Sequence, residues 1–301
     1  IKGLDSITAR TISLASRIVG FIIGFNDGYQ KGLAAEVEAF STFVMDEEDG
    51  GKKGIQLFMD KKSPALPARP RHNISEKEKL ISDKQMIAPG APFFPGITPI
   101  PPLQLAHAVT RDAQSGAYIH GDPIDSEFEC IIDTPKPGVN QALVYVLASE
   151  VNYNDIWAIT GIPISLFDEH DKDIHVTGSG GVGLVAALGE GLQAEGRLSV
   201  GQMVTIYSGV SDVLDPMAGD DPMFTAFHIQ GYQSPDGSHQ QFMLTDGPQL
   251  FPMPADLSLE DAGSYMLPAG TAYRAIFNAL KLRANDRLFV EGAASGTGAW
   301  S

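Results

Sequence analysis

The chain has 301 residues, of which 43% are hydrophobic, so it can bury a core that suits one large domain or two ordinary ones. Its 21 basic and 37 acidic residues give a net charge of −16, which repels phosphate backbones and argues against nucleic acid as a partner. The single cysteine, Cys130, excludes a disulfide framework and a thiolate zinc site, and it fits a reducing cytoplasm. The apolar run at residues 18–25 is too short to span a bilayer, so no membrane association is expected.

Residues 7–62 contain no proline and are predicted to form helices. Leu33, Val37 and Phe40 share one helical face, and a second amphipathic segment ends at a Ser-Pro pair. The pattern GLAAEVEAF…DEEDGGKKGIQLFMDKKSP resembles the C-terminal helices of the crotonase (enoyl-CoA hydratase/isomerase) family, whose catalytic residues lie upstream of these helices. The resemblance implies that residues 1–66 are the tail of a hydratase domain and carry no chemistry of their own.

A proline-rich segment follows. Nine prolines in residues 64–102 exclude regular helix over much of this span, apart from a short helix predicted at residues 76–86 with Ser75 as its cap. We interpret residues 67–121 as a linker. It is either a strap that lies on a surface through its aromatic segment APFFPGITPIPP or a disordered spacer.

From residue 122 the sequence is typical of β-structure. Strands are predicted at residues 127–132 and 141–148, and further short strands continue to about residue 251, as in a small barrel-like domain. Two helices then follow, one capped by Ser258 and one at residues 271–280. A last strand is predicted at residues 286–291.

Two glycine motifs occur in this part of the chain. Residues 178–183 satisfy G-x-G-x-x-G, but the apolar run that follows ends within six residues, which favours a β-turn over a phosphate-binding loop. Residues 292–298 have a predicted strand before them and helix-forming residues after them, so their context suits a pyrophosphate site. We call these the first and second glycine motifs. Because the sequence starts with Ile and stops just after the second motif, we expect a piece of a longer polypeptide.

The order of elements in residues 142–204 resembles the GroES-like catalytic domain of medium-chain dehydrogenase/reductases. The strings VNYNDIWA, SVGQMV and RLFVEGAASGTG together are similar to the crotonyl-CoA carboxylase/reductase branch. The resemblance implies an α+β fold with four parts, namely crotonase-type helices (1–66), a Pro-rich linker (67–121), a GroES-like β-barrel catalytic domain (122–268) and the truncated start of a Rossmann domain (269–301).

The second glycine motif resembles the G-A-x-G-G-x-G turn of NADPH-using members of this superfamily. The resemblance implies that NADPH is the cofactor, held by Gly292, Ser295, Gly296, Thr297 and Gly298, with Asn152 beside the nicotinamide. Ser295 stands where a glycine is more usual.

Zinc-dependent members of the superfamily need cysteine, histidine and glutamate ligands. Here Gly180 stands where their G-x-E turn has its acid. His170 and His175 flank acidic residues and are predicted to lie in an exposed loop rather than to form a ligand pair. The expectation is therefore a zinc-independent reductase.

The turn at residues 152–155 (the Asn turn) is the candidate wall of the active-site cleft. The resemblance implies catalytic or orienting roles for Asn152 and Asn154, although an Asx-rich turn also satisfies its own backbone. Tyr232 and Gln233 would face the acyl pocket, or they are an ordinary pair on a strand. His228 and His239 are considered as proton donors, against the alternative of surface histidines.

A crotonase tail joined to such a reductase resembles the propionyl-CoA synthase family. This implies reduction of acryloyl-CoA to propionyl-CoA with NADPH beside a hydratase domain, with an acyl-CoA substrate and flanking hydratase and nucleotide-binding domains as partners. Carboxylating relatives have Gly-Phe-Glu where this chain has Gly231-Tyr232-Gln233, which favours plain reduction. The alternatives are a crotonyl-CoA carboxylase/reductase, a zinc-independent quinone oxidoreductase and a non-catalytic docking module, and homo-oligomerisation stays open.

Overall fold

A computed structural model describes residues 74–111, 120, 126–162, 165–211 and 227–301. All of them belong to the unit Arg69–Ser301. The predicted crotonase-type helices at residues 1–66 lie outside the described residues. Within the described part of the chain, no helix is long and apolar enough to cross a membrane.

Ten strands among the described residues form three antiparallel sheets. The five-stranded sheet has the order β10-β6-β5-β3-β9, the three-stranded sheet the order β2-β1-β4, and β7 pairs with β8. The strands are β1 Leu103–Thr110, β2 Phe128–Asp133, β3 Gln141–Ser149, β4 Ile174–Val176, β5 Gly180–Leu188, β6 Met203–Tyr207, β7 Gly209–Val210, β8 His228–Ile229, β9 Phe242–Asp246 and β10 Leu250–Pro252. The strands predicted at residues 127–132 and 141–148 are confirmed as β2 and β3.

The helices of the described residues are short. They are α1 Ile74–Ser82, α2 Tyr153–Thr160, α3 Glu190–Glu195, α4 Leu259–Ser264, α5 Met266–Tyr273 and α6 Gly296–Ala299; a π-helical turn Arg274–Ala279 continues α5, and 3₁₀ turns occur at Leu166–Asp168 and Gly247–Gln249. The predicted cap at Ser258 is confirmed, since its side chain accepts a hydrogen bond from the backbone N–H of Asp261. Helix α4 packs on β3 and β5, where Gly263 lies against Ala148 and Val182.

Strand β3 lies inside the large sheet, between β5 and β9, and both of its faces are buried over its first half. Ala142 and Val144 point into a cluster shared with β5, β6, β9 and β10. Leu143 and Tyr145 point to the opposite face, because successive side chains of a strand alternate. The site described below lies at the end of β3.

The segment predicted as a linker contains regular structure. Its first helix forms as α1, somewhat shorter than predicted, and Phe93 is buried against the rings of Tyr145 and Phe242. Strand β1 then pairs with β2 and β4, and Ala108 and Val109 are completely buried. Strand β1 lies in the span predicted as a linker, because the prolines directly before it obscure its short alternating pattern.

The strand predicted at residues 286–291 is not formed. Leu288 and Phe289 are exposed at 40% and 70%, and no strand of the described chain pairs with this segment. The prediction is wrong for this structure because a strand requires a neighbour for its backbone hydrogen bonds. The helix predicted at residues 271–280 forms mainly as the π-helical turn after α5.

Candidate active site

The Asn turn connects β3 to α2 and is shaped by its own side chains. Asn152 caps α2, its Oδ1 accepting from the backbone N–H of Asn154 at 2.8 Å. In return, Oδ2 of Asp155 accepts from the backbone N–H of Asn152 at 2.7 Å. This reciprocal capping box explains why α2 begins at this point.

The two asparagine amide groups converge on Ser179, the second residue of the first glycine motif. Nδ2 of Asn152 donates to Oγ of Ser179 at 2.8 Å, and Nδ2 of Asn154 does so at 3.3 Å. Ser179 is fully buried. The structure thus brings both predicted asparagines together on one hydroxyl group, which holds their amide planes in fixed orientations.

A buried acid, Asp155, ties the Asn turn to the first glycine motif. Its Oδ1 accepts from the backbone N–H of Gly178 at 3.0 Å, and the residue is only 2% exposed. Burial raises the pKa of this carboxyl, while the charge of His239 and the two backbone hydrogen bonds oppose the rise. Asp155 therefore fixes the distance between the two segments that carry Asn152 and Ser179.

A second buried acid, Glu150, lies directly after β3. Its carboxyl group fills the space beside Gly180, where an added Cβ would come within 2.4 Å of Oε1. No hydrogen-bond donor among the described residues reaches this oxygen. Burial, and next the charge of Asp155, raise the pKa of Glu150 to about 8, against a hydrogen bond from the Asn152 side chain. The raised pKa favours the neutral form of the Glu150 carboxyl at pH 7.

His239 occupies the centre of the polar network. Its Nε2 lies 2.9 Å from the backbone oxygen of Glu150, and its Nδ1 lies 2.9 Å from Oγ1 of Thr177. Thr177 in turn donates to Glu127 at 2.8 Å. The surface-histidine alternative is wrong for His239, whose side chain is 14% exposed, because the chain before β9 folds over the first glycine motif. His228, the other candidate donor, lies in β8 opposite Val210.

The prediction of an exposed loop for His170 and His175 is also wrong in part. His175 is completely buried in β4, and its Nδ1 lies 2.8 Å from Nε2 of His170. In the part of the chain that the structure describes, no group of three or more His, Cys, Asp or Glu residues could hold a metal ion. Cys130 is buried in β2.

Tyr232 and Gln233 lie in a turn after β8 rather than in a strand. Tyr232 packs on a buried cluster that includes Val109 and Ile159, and its ring centroid lies 6.0 Å from that of Trp157 in α2. The side chain of Gln233 folds back, its Oε1 accepting from the backbone N–H of Ile229 at 3.0 Å. Of the two predicted pocket residues, only Tyr232 contacts the helix that the Asn turn begins.

The second glycine motif forms a compact exposed turn before α6. Ser295 caps that helix, with Oγ accepting from the backbone N–H of Gly298 at 3.1 Å. The helix packs on α5, where Gly296 lies near Pro268. The first motif enters strand β5 directly after its turn, so a strand occupies the place where a phosphate-binding loop needs a helix.

Sequence reasoning missed Ser179, Glu150 and Asp155 as members of the site. Asp155 carries a local signal, since an acid three residues after an Asn marks a capping box. Glu150 directly follows a strongly apolar strand, which places it at a sheet end. Ser179 has no local signal, because it reaches the Asn turn only through the pairing of β3 with β5.

Comparisons with known proteins agree with this geometry. Residues 138–255 match the alcohol dehydrogenase GroES-like domain. Crotonyl-CoA carboxylase/reductase of Cereibacter sphaeroides is 35% identical over 212 residues, which cover 69% of this chain and 47% of that protein. A crotonyl-CoA reductase of Streptomyces collinus is 29% identical over 208 residues, covering 64% of this chain and 44% of that protein.

A solved structure has a similar fold. It is the 2-octenoyl-CoA carboxylase reductase CinF, from a Streptomyces species, in complex with NADP and 2-octenoyl-CoA. It is 26% identical, with a TM-score of 0.56 over 67% of this chain and 49% of that chain. The chain thus spans about half the length of the relatives it matches. The described residues have the α+β fold of the medium-chain dehydrogenase/reductases, with a GroES-like domain related to that of the crotonyl-CoA carboxylase/reductase branch.

Proposed function

We propose that this chain forms the substrate side of an NADPH-dependent enoyl-CoA reductase. The observation that carries the proposal is the likeness to a reductase solved with both NADP and 2-octenoyl-CoA. The buried polar network at the Asn turn supports it, because that network holds amide donors in fixed orientations at the end of β3. The activity belongs to the longer polypeptide, since the chain covers about half of each relative.

The second glycine motif fits the nucleotide. Gly292 has a φ of +66°, and a Cβ on Gly298 would lie 2.2 Å from the backbone oxygen of Gly292, so the turn is as tight as only glycine allows. Ser295, Gly296 and Thr297 are exposed between them. These residues would hold the pyrophosphate through backbone N–H groups. When bound, NADPH supplies the hydride for the β-carbon of the unsaturated thioester.

The residues of the Asn turn would orient the reacting groups. Ser179 fixes the side-chain amides of Asn152 and Asn154, and each amide carries two N–H donors. A second N–H of Asn154 would donate to the thioester oxygen, where negative charge develops as the enolate forms. Neutral Glu150 avoids a second buried negative charge beside that enolate.

Tyr232 would form a wall of the acyl pocket through its contact with Trp157. Gln233 replaces the acid of carboxylating enzymes, and its side chain is engaged by the backbone of its own turn. The absence of an acid at position 233 favours reduction without carbon dioxide fixation. We further propose that acryloyl-CoA is the substrate and propionyl-CoA the product, with a hydratase domain ending at residue 66 supplying the acryloyl-CoA.

The test uses the full-length polypeptide that carries this chain. NADPH oxidation is measured with acryloyl-CoA, crotonyl-CoA and a quinone, each with and without bicarbonate, and the acyl-CoA products are identified by mass. Faster turnover of acryloyl-CoA than of crotonyl-CoA, with only propionyl-CoA formed, is expected. Turnover of the quinone alone would overturn the proposal, and a dicarboxylic product would overturn the rejection of carboxylation. No turnover of any substrate would favour the docking module.

A further inference from the structure

A directed chain of hydrogen bonds runs through the buried histidine pair. The backbone N–H of Lys172 donates to Nδ1 of His170 at 3.2 Å. Nε2 of His170 lies 2.8 Å from Nδ1 of His175, and Nε2 of His175 lies 3.0 Å from the backbone oxygen of Gly231. A carbonyl oxygen only accepts and a backbone N–H only donates, so the two ends of this series fix which ring nitrogen donates in each hydrogen bond. His170 donates to His175, and His175 donates to Gly231.

This arrangement requires both imidazole rings to be neutral, and their surroundings keep them so. Burial lowers the pKa of His175 to about 3; the hydrogen bond to Gly231 opposes this effect, and the charges of His170, Lys172 and His120 add to it. Burial also lowers the pKa of His170, as do Lys172 and Arg111, while Asp236 and Asp171 act in the opposite direction. The two ring planes are 18° apart and the ring centroids 5.1 Å apart, as expected for nearly coplanar rings joined edge to edge by this hydrogen bond.

Gly231, whose backbone oxygen accepts the last of these hydrogen bonds, has little freedom to move. Its φ is +87°, and a Cβ at this position would lie 1.9 Å from the backbone oxygen of Gly178. Its N–H donates to the backbone oxygen of Ser234 at 2.8 Å, which closes the turn. The peptide unit between Gly231 and Tyr232 is therefore held between the first glycine motif and the ring of His175.

We propose that His175, supported by His170, is a positioning residue for the acyl pocket. By holding the carbonyl group of Gly231, it fixes the backbone from which the Tyr232 side chain extends toward Trp157. The ligand whose binding depends on this position is the acyl chain of an enoyl thioester, and this part of the inference rests on the proposed function. The hydrogen-bond geometry does not depend on it.

The first experiment measures the position of Tyr232 without any substrate. In the full-length polypeptide, the change in tryptophan emission caused by Tyr232→Ala reports on the contact of Tyr232 with Trp157. His175→Leu removes the donor to Gly231, whereas His175→Gln keeps an N–H near the position of Nε2. We expect His175→Leu to shift the emission toward that of Tyr232→Ala and His175→Gln to stay near the parent. Parent-like emission in His175→Leu would contradict the inference.

The second experiment uses the full-length polypeptide. We expect His175→Leu to raise KM for the enoyl-CoA by about tenfold, with kcat changed by less than about threefold, and His175→Gln to restore most of the affinity. Equal losses in the Leu and Gln variants would indicate a merely structural role. If His175→Leu does not fold, as judged by far-UV circular dichroism, His170→Ala replaces it and should give a smaller change in the same direction; no change would overturn the inference. A parent enzyme without enoyl-CoA turnover would disprove the proposed function, while the fluorescence experiment would still decide the positioning role.

Discussion

The two glycine motifs have a similar spacing of glycines, but the first motif is buried and the second is exposed. In the first motif the glycines allow backbones to pack closely. A Cβ on Gly183 would lie 2.2 Å from the backbone oxygen of Tyr145, and one on Gly178 would lie 2.6 Å from the backbone nitrogen of His239. These glycines are buried where β5 pairs with β3 and where the chain before β9 packs against the start of β5.

The second motif is almost entirely exposed, and its glycines shape a turn. Gly292 adopts a positive φ, and a Cβ on Gly296 would make only an ordinary contact with Pro268 at 3.7 Å. Glycine spacing therefore does not distinguish a closely packed, buried strand from a nucleotide-binding loop. The segment that follows does, since a nine-residue strand follows the turn of the first motif and a short helix ends the second.

The largest expected effect is a loss of stability when the close packing of the first motif is disrupted. Gly183→Ala should destabilise the described unit by about 3 kcal/mol or more, because the new methyl group meets a backbone oxygen that cannot move without disrupting the β3–β5 pairing. Urea unfolding followed by circular dichroism measures this loss. The matched control, Gly296→Ala, should change the free energy of unfolding by less than about 1 kcal/mol. Similar values for the two variants would remove the distinction between the motifs.

The next effect concerns nucleotide binding by the second motif. In the full-length polypeptide, Gly298→Ala should weaken NADPH binding by about tenfold, because the added Cβ would collide with the carbonyl group of Gly292 and open the turn. Titration of NADPH fluorescence measures the affinity. Ala299→Ser, an exposed change in the same helix, serves as the control and should leave the affinity unaltered. An unchanged affinity in Gly298→Ala would place the pyrophosphate elsewhere.

The sequence pattern predicted those elements that depend only on residues close together in the chain. Strands β2 and β3 follow from apolar runs bounded by turn residues, and the cap at Ser258 follows from a serine before an acidic first turn. The Asn turn is likewise a short-range feature. Each of these elements is determined by residues within about one turn or strand of each other.

The failures concern contacts between distant segments. Glu150, His175 and His239 are polar, so sequence alone favours the surface for them, yet β-pairing and the turn after β8 bury them. The segment at residues 288–290 shows the reverse case. Its apolar pattern suits a buried strand, but the described chain provides no neighbouring strand for it.

The last prediction concerns the dependence of stability on pH, and it also contrasts the two motifs. The pKa of Glu150 is raised from 4.5 to about 8 in the folded state, so between these values the folded chain binds more protons than the unfolded chain. Stability contributed by this group therefore falls as pH rises through this window, by at most about 1.4 kcal/mol per pH unit. Glu150→Gln should remove that slope and leave the variant more stable than the parent at pH 8.

Urea unfolding between pH 5 and pH 8 would reveal this difference, in steps of about one unit. The matched control is Glu291→Gln, because Glu291 is exposed beside the second glycine motif and has no buried environment to lose. Parallel pH profiles for the parent and Glu150→Gln would show that Glu150 is ionised and solvated in the folded protein. In that case a charged group would lie beside Gly180, and the neutral site proposed for enolate stabilisation would be lost with it.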